Sequence, residues 1–88
     1  MEASTLNNPA PKYPKRSRQR GEQGTVVLTI LIKADGSVGQ AQLKQSSGFT
    51  RLDKAALKAI KRWRYQAAEQ NGTTIDYWYV QAMTFSLN

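Results

Sequence analysis

The alternation of apolar and polar positions is sharpest over "TVVLTILIK", where Val26, Leu28, Ile30 and Ile32 interleave with Val27, Thr29, Leu31 and Lys33. A period of two over this length predicts a strand from about Thr25 to Lys33. Both of its faces are largely apolar, which suits the middle of a sheet. Asp35-Gly36 comes next, a pair that tolerates the left-handed backbone of a tight hairpin turn. The return strand, about Ser37 to Gln45, is polar on one side and carries Ala41 and Leu43 on the other, so it is expected to be half-exposed.

The period then changes. In "SSGFTRLDKAALKAIKRWRYQAAEQNG", Leu52, Ala56, Ala59, Ile60 and Trp63 gather on one stripe at 100° per residue. Arg51, Lys54, Lys58, Lys61 and Arg62 form a second, basic stripe, expected to be a solvated face. Thr50 or Ser47 is placed to cap this helix, with Asp53 three residues after Thr50 as in a capping box. Lys61, Arg62 and Arg64 suit its C-terminal dipole. Asn71-Gly72 turns the chain into "TTIDYWYVQAMTFSLN", which has no Gly or Pro and reads as one long closing strand.

Before the first strand, "MEASTLNNPAP" (1–11) is polar and proline-punctuated and is expected to be a flexible arm ahead of a domain over 12–88. Pro14 can open a short helix, which Gly21 stops. The elements thus run α-β-β-α-β. A helix after the second strand can return the third to the free side of the first. The expected class is α+β, a three-stranded antiparallel sheet with helices on one face. The last strand is then an edge. Met83, Phe85 and Leu87 alternate with Tyr77 and Tyr79, and the C-terminal part of that set is assigned to the core. Trp78, Val80, Ala82 and Thr84 line the opposite, more open face.

Composition limits the chemistry. The 88 residues contain no Cys and no His, which removes thiol chemistry, disulfides and the commonest general base. Ser46-Ser47 has no histidine to activate it, and no phosphate-binding loop is present, so no enzyme, cofactor or metal is expected. A net charge of +7 invites nucleic acid, an anionic membrane or an acidic protein. Aromatic residues do not interleave with the basic stripe, and no nucleic-acid motif accompanies it. No run reaches the roughly 20 apolar residues that span a bilayer. Met1-Glu2 ahead of "ASTLNNPAP" reads as a start joined to an internal segment.

Several motifs fall in order over residues 11–87: "PKYP", Gly21 and Gly24, Asp35-Gly36, "SSG" at 46–48, "LDKAA" at 52–56, "RWRY" at 62–65 and "TFSL" near the end. In that order they resemble the C-terminal domain of the TonB family, periplasmic energy transducers of Gram-negative bacteria. The resemblance implies an N-terminal inner-membrane helix that joins ExbB and ExbD, a Pro-rich spacer, and a domain docking on TonB-dependent outer-membrane transporters. Docking would add the transporter's TonB-box peptide to the last strand, as in siderophore or haem uptake. The implied contacts are Trp78, Val80, Gln81, Ala82, Met83 and Thr84, through backbone from about Val80 to Thr84. Pro11, Lys12, Tyr13, Pro14 and Arg16 are a candidate steering patch, with Tyr13 better suited to anchor the fold. The same edge could form a homodimer. A TolA-like domain and a small basic nucleic-acid-binding module are the alternatives. Ser17, Gln66-Ala67, Ala10 and the aromatic bulk of Tyr77-Trp78-Tyr79 depart from the family's usual pattern.

Overall fold

The computed structural model describes residues 8–87. Its elements are α1 (Lys15–Gln19), β1 (Gly24–Ile32), β2 (Val38–Gln45), α2 (Thr50–Ile60), β3 (Ala68–Gln70), β4 (Thr73–Ile75) and β5 (Tyr77–Phe85). β1 is central in a three-stranded antiparallel sheet of order β2-β1-β5. Its inward residues Val26, Leu28, Ile30 and Ile32 are fully buried, each contributing roughly 1.5–3 kcal/mol of apolar burial. Leu52, Ala56 and Ile60 of α2 cover that face, to which Met83 and Phe85 of the neighbouring β5 also belong.

The hairpin between β1 and β2 depends on Gly36. Its φ is +87°, and a Cβ there would lie 2.2 Å from the Tyr65 carbonyl. The Gly36 carbonyl also accepts from the Tyr65 N–H at 2.8 Å. This bond, with the Ser37–Arg64 bridge, draws the chain after Ile60 across the hairpin. α2 therefore ends at Ile60, short of the Trp63–Arg64 region that its basic residues suggested. Trp63 is half-buried against the core, outside the helix.

The helix start also differs from expectation. Phe49 occupies the N-cap position, and no side chain caps it. Asp53 instead accepts from Ser46 Oγ (2.5 Å), Ser47 N–H (2.9 Å) and Ser47 Oγ (2.8 Å), tying the "SSG" loop to the first turn of α2. Pro14 lies one position outside α1, at its N-cap, in an extended conformation.

The long closing strand is divided. Asn71 and Gly72 both have positive φ and close a separate hairpin, β3–β4, which the sequence reading did not anticipate. Asp76 interrupts the strand. It accepts from the Ala34 N–H at 2.8 Å and pairs with Lys33 Nζ at 2.9 Å, fastening the start of β5 to the end of β1.

The expected arm over 1–11 lies mostly outside the described residues. Within them, Asn8 bonds twice to the Arg64 backbone, at 2.9 and 2.6 Å, and Pro9 accepts from Trp63 Nε1 at 2.9 Å.

Candidate functional site: the outer edge of the last strand

Backbone direction along β5 can be worked out from β1. Lys33 donates to the Ser37 carbonyl and accepts from the Gly36 N–H, both at 2.8 Å, so residue 33 faces β2. Ala34 faces Asp76, on the β5 side. The irregularities in the β1–β2 register fall at Lys44 and Gly39 of β2 and leave β1 uninterrupted. Even residues of β1 therefore aim at β5. In the register Val26–Met83, Leu28–Gln81 and Ile30–Tyr79, odd residues of β5 aim back at β1. The Leu87 N–H, which meets Gln23 Oε1 at 2.9 Å, continues that phase. Trp78, Val80, Ala82 and Thr84 consequently turn both N–H and C=O outward, away from the sheet.

These four residues also place their side chains on the face that the helices leave uncovered. Trp78 is 53% exposed and Val80 46% exposed. Across the sheet they neighbour Leu31 and Thr29, so the outward edge continues into an open, partly apolar face. Thr84 Oγ1 meets Thr25 Oγ1 at 3.1 Å on that same side.

The odd residues have other roles. Met83 and Phe85 are buried, whereas Leu87, assigned to the core from its periodicity, is 39% exposed beyond the strand's end. Tyr79 packs edge-on against Tyr65 at 5.9 Å, and Tyr65 lies 6.4 Å from Trp63. Because α2 stops at Ile60, these aromatic rings cover the part of the sheet it does not reach. That accounts for Tyr77 and Tyr79; Trp78, between them, projects to the open face.

Gln81 is half-buried on the helix side. It accepts from Tyr65 Oη–H at 2.7 Å and donates through Nε2 to the Ala82 carbonyl at 2.8 Å. One outward carbonyl of the edge is thus already occupied, by a side chain held from the core. Burial, aided by the phenols of Tyr79 and Tyr77, pushes the Tyr65 hydroxyl far above its ordinary pKa, so it remains a neutral donor. Sequence gave no sign of the Tyr65–Gln81 pair, which spans 16 positions and joins a loop to a strand.

The N-terminal residues divide. Tyr13 anchors the fold: its ring meets Phe85 edge-on at 5.4 Å, and its hydroxyl donates to the Glu22 carbonyl. Arg18 lies 5.9 Å over the same ring. Lys12 and Pro14 line a groove against α2 and so border a different surface from the β5 edge. Pro11 is half-buried and Arg16 exposed.

The chain is thus a basic α+β domain with one uncovered sheet face and one open strand edge. The sequence model of the Gram-negative bacterial TonB protein C-terminal family matches residues 9–87, and the chain belongs to that family. It is 42% identical over 86 residues to protein TonB2 of Pseudomonas aeruginosa, covering 98% of this chain and 32% of that protein. It is 48% identical over 59 residues to protein TonB of Neisseria meningitidis serogroup C, covering 67% of this chain and 21% of that one. The chain thus spans a third or less of the curated relatives it matches. The solution structure of the Pseudomonas aeruginosa TonB C-terminal domain superposes with a TM-score of 0.80 at 22% identity, covering 97% of this chain and 86% of that one. For the Helicobacter pylori TonB C-terminal domain the TM-score is 0.61 at 30% identity, with 88% and 80% covered.

Proposed function

We propose that this domain docks on the TonB box of an outer-membrane transporter by strand addition along the outer edge of β5. In that role it passes proton-motive-force-derived energy to active uptake, such as that of a siderophore or haem. It would work in the periplasm as part of a longer protein, anchored in the inner membrane and joined to ExbB and ExbD through a region N-terminal to this chain. The observation that carries the proposal is the row of outward N–H and C=O groups at Trp78, Val80, Ala82 and Thr84. An added strand gains affinity from such a row with little demand on sequence, while alternate side chains set selectivity. The open face beside Trp78 and Val80 offers those side chains an apolar surface. No catalytic role is proposed.

The test is an NMR titration of the isotopically labelled chain with a TonB-box peptide and, separately, with a DNA or RNA oligomer. Shift changes confined to about residues 78–86 with the peptide support docking. Changes across Lys54, Lys58 and Lys61 with the oligomer, and none with the peptide, would favour a nucleic-acid-binding module instead. Concentration-dependent changes at the same edge without any peptide would identify a homodimer.

A further inference from the structure

A groove of about 430 Å³ runs between the outer face of α2 and the extended segment 9–14. Among the described residues five cations line it, Lys12 from the segment, Arg51, Lys54 and Lys58 from α2, and Arg62 just past its end, and no acidic residue does. Sequence patterning treated the helix stripe as a solvated face and Lys12 as part of a separate patch; the fold brings them around one concavity. α2 packs over β1 and β2, and no residue of β5 lines the groove.

The walls are fixed. The bonds of Asn8 and Pro9 to Arg64 and Trp63 tie down one end of the segment. At its other end Tyr13 is held by Glu22 and Phe85. Ala55 and Ala59, one helical turn apart, give the α2 wall small side chains that allow close approach, and Pro9 and Pro14 face them. The charge arrangement is unfavourable in isolation. Lys54 and Lys58 stand at i, i+4 spacing in α2, a like-charge pair that weakens a helix, and Arg62 continues the row just past its end. Of the five, Arg51 alone has an acidic partner among the described residues, Glu22 at 3.3 Å. A concave site with walls of one sign focuses potential on whatever enters it.

We propose that this groove is a second docking site, which takes an extended acidic peptide segment independently of the β5 edge. A peptide fits better than the other polyanions. A membrane surface is flat and cannot enter a concavity between two protein walls. Single-stranded nucleic acid gains by stacking its bases on exposed rings, and no aromatic side chain lines the groove among the described residues. Carboxylates spaced along a chain would meet the cations on both walls, with the apolar parts of the peptide on the alanines and prolines.

The experiment titrates the labelled chain with a ten-residue peptide of alternating Glu and Pro, alongside a Gln-for-Glu control peptide. Shift changes are expected at Ala10, Ala55 and Ala59, and not along residues 78–84. Affinity should fall about tenfold or more between about 50 and 300 mM salt, as screening of several exposed charges requires. The exposed pair Lys54→Gln and Lys58→Gln should fold unchanged by circular dichroism and lose a similar factor. Equal binding of the Gln peptide, undiminished binding by the folded double variant, or shifts confined to β5 would overturn the proposal. So would capture by phosphatidylglycerol vesicles with no response to the acidic peptide. A TonB-box titration run on the same double variant separates the two sites, because strand docking is expected to be unaffected.

Discussion

The hydroxyl of Tyr65 donates to Gln81 at 2.7 Å, and the Gln81 amide in turn donates to the Ala82 carbonyl at 2.8 Å. A core phenol thereby holds the side chain that covers one outward acceptor of the β5 edge. An incoming strand that uses this carbonyl must share it with, or displace, an amide already bonded to it. Gln81→Ala should release the carbonyl and leave the Tyr65 hydroxyl without its partner. Thermal unfolding is expected to show a loss of about 1 kcal/mol, near the net worth of one part-buried hydrogen bond. Peptide affinity measured by calorimetry should rise by up to about fivefold, by the same magnitude. A fall in affinity with the fold intact would mean that Gln81 aids docking.

Ser17 is fully buried, and its hydroxyl meets no hydrogen-bond partner among the described residues. Burying an unpaired hydroxyl is unfavourable by about 1–3 kcal/mol on the scale of protein substitutions. Ser17→Ala should therefore raise stability by roughly 1 kcal/mol, allowing for relaxation of the surrounding side chains. Chemical denaturation would register this as a higher midpoint at an unchanged slope.

Asp53 joins α2 to the "SSG" loop. Burial raises its pKa, but hydrogen bonds from Ser46 Oγ and from the Ser47 N–H and hydroxyl outweigh it, and the net pKa lies below the usual carboxylate value. A depressed folded pKa stabilises the protein above the unfolded pKa of about 3.9, and that stabilisation is lost as pH falls through the folded value. Stability should therefore decline below about pH 4. Asp53→Asn should flatten this acid limb and lower stability at neutral pH by about 1.5–3 kcal/mol, the range for bonds to a charged group. Denaturation midpoints of both proteins across pH 2–7 (approximate limits) would check the sign.

Much of the frame was legible in the sequence because it is set by local rules. The alternation of Val26 to Ile32 marks β1 and its central position, Asp35-Gly36 marks the hairpin, and Trp78 and Val80 fall on the open face by parity alone. What was missed depends on contacts distant in sequence. α2 has helix-forming residues past Ile60, yet the Tyr65 N–H is drawn to the Gly36 carbonyl. The β3–β4 hairpin had a visible signal in Asn71-Gly72, but its strands have only three residues each and lack a clear apolar alternation. Asp76 looked like one polar position in a strand; its contacts with Lys33 and Ala34, more than 40 positions away, make it a break. The edge itself was expected, but which of its N–H groups face outward required the bonds of Lys33, Ala34 and Leu87.

That alternation gives the most direct test of strand docking. The N–H of Ala82 points away from β1, whereas that of Met83 points toward it. Proline is tolerated on an edge strand where its missing donor would face solvent, and disrupts the ladder where it would not. Ala82→Pro should thus remain folded while Met83→Pro loses the fold, a contrast readable in amide spectra. The deciding measurement is the affinity of folded Ala82→Pro for a TonB-box peptide, compared with the unsubstituted chain. Strand addition predicts a loss of at least about tenfold, since a backbone bond and the local fit of the added strand both go. An affinity equal to that of the unsubstituted chain would contradict docking along this edge.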